Sequence, residues 1–347
     1  MRRLAIGMVV VAFAVVFLTY GYQASWTGFG EISRRKDAST DVQHAKTLWD
    51  WLQLCVIPAV LAIVGFLLNR GEKRRDQSLA EMRTAADREL ATDRNREASL
   101  QTYLTEITNL LLSGRLRAVT GDIKPESAEE DTIRANLAVR VRTLTILPTL
   151  DPQRRASVLR FLAELHLIDD HHSIIPLDDA DFRGVAAEGF NLQGVNLSHV
   201  LLDGANLSAS NLRHAYLAGA SIQYVNLSDA CIESASLVNA KLQGSCLDNA
   251  RCSGANFINA DLSGVSARGA HFDDRDFLTK VIDRKTNLDA ANLSGANLDG
   301  ATFEGASAKE ANFSSASANG VDFRRANLQG CNFDGASTRG ARFETDI

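Results

Sequence analysis

The sequence predicts a mainly β chain, a right-handed quadrilateral β-helix preceded by a transmembrane hairpin and a helical connector. Three observations predict it: a large apolar residue every five positions through the second half, a small residue two places before each of these, and two uncharged apolar runs near the N-terminus.

Stepping by five from Leu177 gives Phe182, Ala187, Leu192, Leu197 and so on to Cys252, Phe257, Leu262, Ala267 and Phe272, and 17 of these 20 centres are Leu, Ile or Phe. After a break the count resumes one residue out of step, from Leu288 through Leu293, Leu298, Phe303 and Phe313 to Phe343. A period of five fits neither a helix nor a strand, so the chain must turn a corner in every repeat to keep each centre inward. Four sides close a square coil, and coils stacked about 4.8 Å apart make about eight turns, a rod of about 38 Å. Ala205, Ala215, Ala220, Ala296 and Ala326 show the small residue two before the centre, where backbones pass closely, and Gly at many corners eases the turn. Phe190 breaks that rule beside the undersized centre Ala187, and is expected to fill the space Ala187 leaves.

Between Phe272 and Leu288 the pattern fails, because Arg275 and Lys280 stand where small inward residues belong and cannot be buried alone. An excursion over about 273–287 is expected, with Asp273, Asp274, Arg275, Asp276, Lys280, Asp283, Arg284 and Lys285 exposed. The candidate partner-binding loop is Asp273, Asp274, Arg275, Asp276, Phe277, Lys280, Arg284 and Lys285. A stacked coil leaves an unpaired edge at each end. A helix beginning at Asp151 is placed to cover the first, and nothing comparable follows Phe343 at the second, so Phe333 and Phe343 mark a candidate homodimer contact.

Upstream, residues 4–22 and 51–68 read as membrane spans, with Tyr20, Tyr22, Trp26, Trp49 and Trp51 at one shared interface. Arg2 and Arg3 before the first, and Arg70, Lys73, Arg74 and Arg75 after the second, place both termini on the cytoplasmic side. Residues 1–70 thus form the hairpin, 71–175 a helical stalk and small bundle, and 176–347 the β-helix. In the connector Leu79, Met82, Ala86, Leu90, Leu100, Leu104, Ile107 and Leu111 predict a long helix ending at Gly114. Asp93, Arg94, Arg96 and Glu97 interrupt its stripe and predict a solvated stalk. Ile133, Leu137, Val141 and Leu144 mark a second helix, and Asp151 with Pro152 starts a third.

The repeat half holds 21 acidic and 14 basic residues against 21 and 23 upstream, which leaves it mildly acidic. Cys55, Cys231, Cys246, Cys252 and Cys331 show no metal or dithiol spacing, and His166, His171 and His172 read as solvated. No phosphate-binding glycine loop or nucleophile–base pair is present, so no catalytic residue, metal or cofactor is assigned and the chain is read as non-enzymatic.

GlyAlaAsnLeu at 204–207 and 295–298 and GlyAlaAsnPhe at 254–257 make the second half resemble the pentapeptide-repeat family. The stretch 47–70, with ArgThrLeuThrIleLeu at 142–147 and ArgPheLeuAlaGluLeu at 160–165, is similar to membrane-anchored bacterial members. The resemblance implies the quadrilateral β-helix and a non-enzymatic role. The resulting expectation is a multi-pass protein of the plasma (inner) membrane, held in the lipid bilayer by its hairpin and presenting a cytoplasmic rod as a scaffold for an unidentified protein partner. Two alternatives are a DNA-mimicking inhibitor of a topoisomerase or other DNA-binding protein, as in the quinolone-resistance members, and an accessory or regulatory subunit of a membrane complex. Nucleic acid is not an expected partner.

Overall fold

The computed structural model describes residues 48–117, 127–169, 173–273 and 285–343, with the backbone alone for 48–57, 67–68, 70–76 and 127–130. The chain divides into two compact units, Met1–Leu90 and Ala91–Ile347.

Helix α1 runs over Leu48–Leu112 with Pro58 inside it, so the second apolar run and the connector are one helix. Its described side chains from Pro58 to Leu90 are all exposed. The expected localisation, a multi-pass membrane protein with a cytoplasmic rod, is overturned: no helix of the described residues is long and apolar enough to cross a membrane. The run at 4–22 lies outside the described residues. In the other run the side chains of Pro58–Phe66 are described, and all are exposed. No transmembrane hairpin is present among the described residues.

In the second unit, α1 ends as its sequence predicts. Gly114 takes φ +67, its N–H bonds Leu111 O at 2.9 Å and Arg115 N–H bonds Leu110 O at 3.1 Å, which satisfies two terminal carbonyls. Helix α2, Ser127–Ile146, packs by a different face from the expected one: Ile133, Leu137 and Val141 are exposed, while Val139 and Thr143 are buried. The buried Tyr103 hydroxyl of α1 explains this. It lies 2.8 Å from the Thr143 hydroxyl, and rotating α2 to bury the aliphatic stripe would strand the Tyr103 hydroxyl. A short 3₁₀ turn, Leu147–Thr149, leads to α3, Pro152–Glu164, capped by Asp151, whose carboxylate accepts the Arg154 N–H at 3.0 Å.

Asp93 and Glu97, expected in a solvated stalk, hold α3 instead. The Arg154 guanidinium bonds Asp93 at 2.8 Å and Glu97 at 3.0 Å, and also pairs with Asp151. Polar breaks in the stripe of α1 are thus the seat for one arginine of α3.

From Asp181 onward the chain winds as predicted. Residues one before each centre pair in parallel with those 20 residues on, as in Asp181 with Leu201, Asn206 with Asn226 and Ser221 with Lys241. Each repeat closes a four-residue turn, for example Ala205 N–H to Leu202 O at 2.9 Å, whose third residue has positive φ whether it is Gly204, Tyr224 or Asn249. Centres from Leu177 to Phe323 are buried, and so are the small residues two before them. Across the break the partner offset becomes 31, as in Asn256 with Asn287 and His271 with Thr302. Eleven extra residues therefore enter between one side and the next, and one more than two repeats is why the count slips by one.

The first end is covered in part. Arg155 of α3 donates to Leu147 O at 2.9 Å and to Arg183 O at 3.0 Å, Asp169 pairs antiparallel with Val195, and Asn196 N–H reaches Ile168 O at 2.6 Å. Phe190 is buried, with its ring 4.2 Å beneath the Arg160 guanidinium of α3.

Candidate functional site

The outward residues of the rod fall on four faces, and one face carries most of its ion pairs. Its centres are Leu212, Ile232, Cys252, Phe272 and Phe303, and flanking them the Arg213 guanidinium bonds Glu233 and lies 3.0 Å from Cys231 Sγ. Burial works against the Arg213 charge, but Cys231 and Glu233 outweigh it and raise its pKa. Glu233, only 5% exposed, also lies 3.5 Å from Arg251. Higher on the same face Arg325 meets Glu304 at 2.9 Å and Arg324 meets Asp322 at 2.6 Å. Cys252 faces the core, where burial pushes its thiol well above the usual range, so it packs as a small apolar centre.

The excursion leaves and re-enters at the corner after this face. Asp273, expected to be exposed, is 4% exposed. It still occupies the turn of the last regular repeat, and its carboxylate accepts from the Ser253 hydroxyl at 2.7 Å. Thr286, fully buried, ties the two ends together: its Oγ1 accepts Gly254 N–H at 2.9 Å and lies 2.8 Å from the Asp273 carbonyl. Lys285 is exposed and lines a cleft of about 450 Å³ with His214, Tyr216, Ser234 and Asn256. Asp274, Arg275, Asp276, Phe277, Lys280, Asp283 and Arg284 lie outside the described residues.

At the far end the phenyl rings form two columns through the core. Phe303, Phe323 and Phe343 stack at 5.2 Å spacing, and Phe313 stacks on Phe333 at 4.8 Å. Phe333 is half-buried and Phe343 is 45% exposed, because among the described residues no further coil covers them.

Reading by repeats singled out Phe190 but not its consequence. At the first end a cleft of about 490 Å³ opens between α3 and the rod, lined by Arg160, Glu164, His166, Glu188, Phe190 and Asn191. His166 is engaged with Asp169 at 2.6 Å; His171 and His172 lie outside the described residues. An arginine one helical turn before the end of α3, opposite the one aromatic at a small-residue position, was the available signal.

A family model for pentapeptide repeats matches residues 201–237, 235–274, 286–325 and 309–344 in eight copies. No curated protein matches the chain. Among solved structures it is similar to HetL, a pentapeptide repeat protein involved in heterocyst differentiation regulation in the cyanobacterium Nostoc, at 23% identity over 48% of this chain and 90% of that one, with a TM-score of 0.17. Full-length QnrB1, a plasmid-mediated fluoroquinolone resistance protein, is 16% identical over 48% of this chain and 84% of its own, with a TM-score of 0.22. A pentapeptide repeat protein of the Arabidopsis thaliana thylakoid lumen is 24% identical over 41% of this chain and 71% of its own, with a TM-score of 0.17. With its five-residue period and its 20-residue pairing the C-terminal rod of the chain is a β-helical solenoid, and over residues 201–274 and 286–344 it matches the model for pentapeptide repeats.

Proposed function

We propose that the chain is a non-enzymatic scaffold for protein–protein interaction, with its rod as the binding element. The observation that carries this reading is the unbroken parallel pairing from Asp181 to Arg342. Such pairing fixes every outward side chain on a rigid surface whose order a partner meets without further ordering cost. The eleven-residue insertion after Asp273, which the 31-residue pairing offset marks, and the open coil at Phe333 and Phe343 interrupt the regular order of that surface, and in this reading they bind a partner and a second copy.

Mimicry of DNA is the weaker reading. It requires a run of unneutralised carboxylates, whereas Asp181, Glu233, Asp248, Glu304 and Asp322 each face an arginine. Cross-linking in cells followed by mass spectrometry, on the full chain and on a chain lacking 274–284, tests the scaffold. Cross-links from rod residues to one partner, lost on deleting the excursion, are expected; a rod that cross-links to no other protein ends the reading. Light scattering tests the open end, where Phe343→Asp should turn a dimer into a monomer.

A further inference from the structure

Among the described residues, the interior coils of the rod pair their backbone on both sides, but the first coil does so on only part of its lower edge. Higher up, Asn206 N–H reaches Val185 O at 2.8 Å and Asn211 N–H reaches Phe190 O at 2.8 Å, and one coil on the pattern recurs with Asn226 N–H to Ala205 O at 2.9 Å.

On the first coil's lower edge, two sides are met in part by the preceding segment. Asn196 N–H is taken by Ile168 O at 2.6 Å, and Arg183 O accepts from Arg155 at 3.0 Å. On the next two sides, among the described residues, the N–H groups of Ala186 and Asn191 and the carbonyls of Ala186, Glu188, Asn191 and Gln193 meet no hydrogen-bond partner, and all four residues are exposed. This open edge borders the cleft of about 490 Å³ beneath α3.

Arg160 stands in the same cleft. Its neighbours on α3 are fully engaged, Arg154 with three carboxylates and Arg155 with two carbonyls. Among the described residues Arg160 has only the Phe190 ring, 4.2 Å from its guanidinium carbon. Stacking on the ring orients the guanidinium and leaves its N–H donors for a planar acceptor. We propose that this edge is a strand-addition site, which takes a segment of a partner protein that bends with the corner between Ala186 and Gln193 and seats one of its carboxylates on Arg160. The inference rests on the scaffold reading and names a partner chemistry for it. Backbone groups supply the affinity and the side chain the selection, as when a peptide extends a sheet. Antiparallel pairing of Asp169 with Val195 shows the same edge already accepting a strand one side away. Glu164 and Glu188 on the rim exclude a polyacidic segment and suit a basic residue beside the single acidic one.

The test uses the full chain and a fluorescent peptide of about nine residues, alternating Val and Thr with one central Asp. Binding should weaken about tenfold when the central Asp is replaced by Lys, and by a similar factor in Arg160→Met, which keeps the stem over Phe190. Hydrogen exchange at the Ala186 and Asn191 amides should slow when the peptide is bound. Methylating alternate peptide nitrogens should abolish binding without altering the protein, which separates edge pairing from misfolding of an edge variant such as Asn191→Pro. Failure of the Asp peptide to bind, equal binding of the Asp and Lys peptides, or unchanged exchange at both amides overturns the site. A chain that fails these tests yet still cross-links to a partner through its rod loses this site and keeps the scaffold.

Discussion

The residue one place before each centre decides how its turn is held. Where it is Asn, its carboxamide oxygen accepts the N–H two residues on, as from Asn206 to Ser208 at 3.2 Å, Asn226 to Ser228 at 3.1 Å and Asn312 to Ser314 at 3.0 Å. Serine is too short for this, and an Asp from the coil below does it instead. Asp248 accepts the Ser266 hydroxyl at 2.6 Å and Arg268 N–H at 3.0 Å, and Asp289 and Asp299 repeat the arrangement with Ser307 and Ser317. Asp248→Ala should therefore cost about 1–3 kcal/mol by leaving the turn N–H without its acceptor. Adding Ser266→Asn should recover most of the loss, and chemical denaturation of the two variants checks both. At the corners, Gly244 has φ +67 and a Cβ there would lie 2.7 Å from the Tyr224 ring. Since Tyr224 is exposed and can swing away, Gly244→Ala should cost about 1–2 kcal/mol from the backbone alone, and Tyr224→Ala should not restore it.

Among elements, the join of α1 to α3 rests on Arg154. Hydrogen bonds it donates to Asp93, Asp151 and Glu97 raise its pKa, and Asp93 and Glu97 are about half exposed. Arg154→Met should then lower stability slightly, in a way screened by salt, with a double-mutant cycle against Glu97→Gln showing the coupling. Deeper packing costs more. Leu237 is fully buried, and Leu237→Ala should destabilise the rod by about 2–5 kcal/mol in calorimetry.

Across the whole molecule, acid acts through paired carboxylates. The Arg183 side chain beside Asp181, the Ser317 hydroxyl beside Asp299 and the Arg324 side chain beside Asp322 hold these carboxyls below their usual range. Their folded values lie below the unfolded value of about 3.9. The stability they contribute is thus complete above that value and is lost as pH falls through the folded one. Thermal melts should be flat from about pH 7 to about 5 and fall below about 4. A melt whose midpoint is unchanged in that acid range would show that these pairs do not matter to the rod.

The five-residue period was legible because each centre repeats its own instruction: a turn, an inward side chain and a pairing edge arise within one repeat and its copy 20 residues on. Gly114 and Asp151 were legible for the same local reason. Long-range geometry was not. The face that α2 buries follows from a hydroxyl on α1, the role of Asp93 and Glu97 from an arginine some 60 residues later, and the burial of Asp273 from Ser253 one coil below. Sequence alone determines the β-helix, since its information lies within one coil; the tertiary structure decides which polar groups are engaged and which edge is left open, because those depend on partners that only folding brings together.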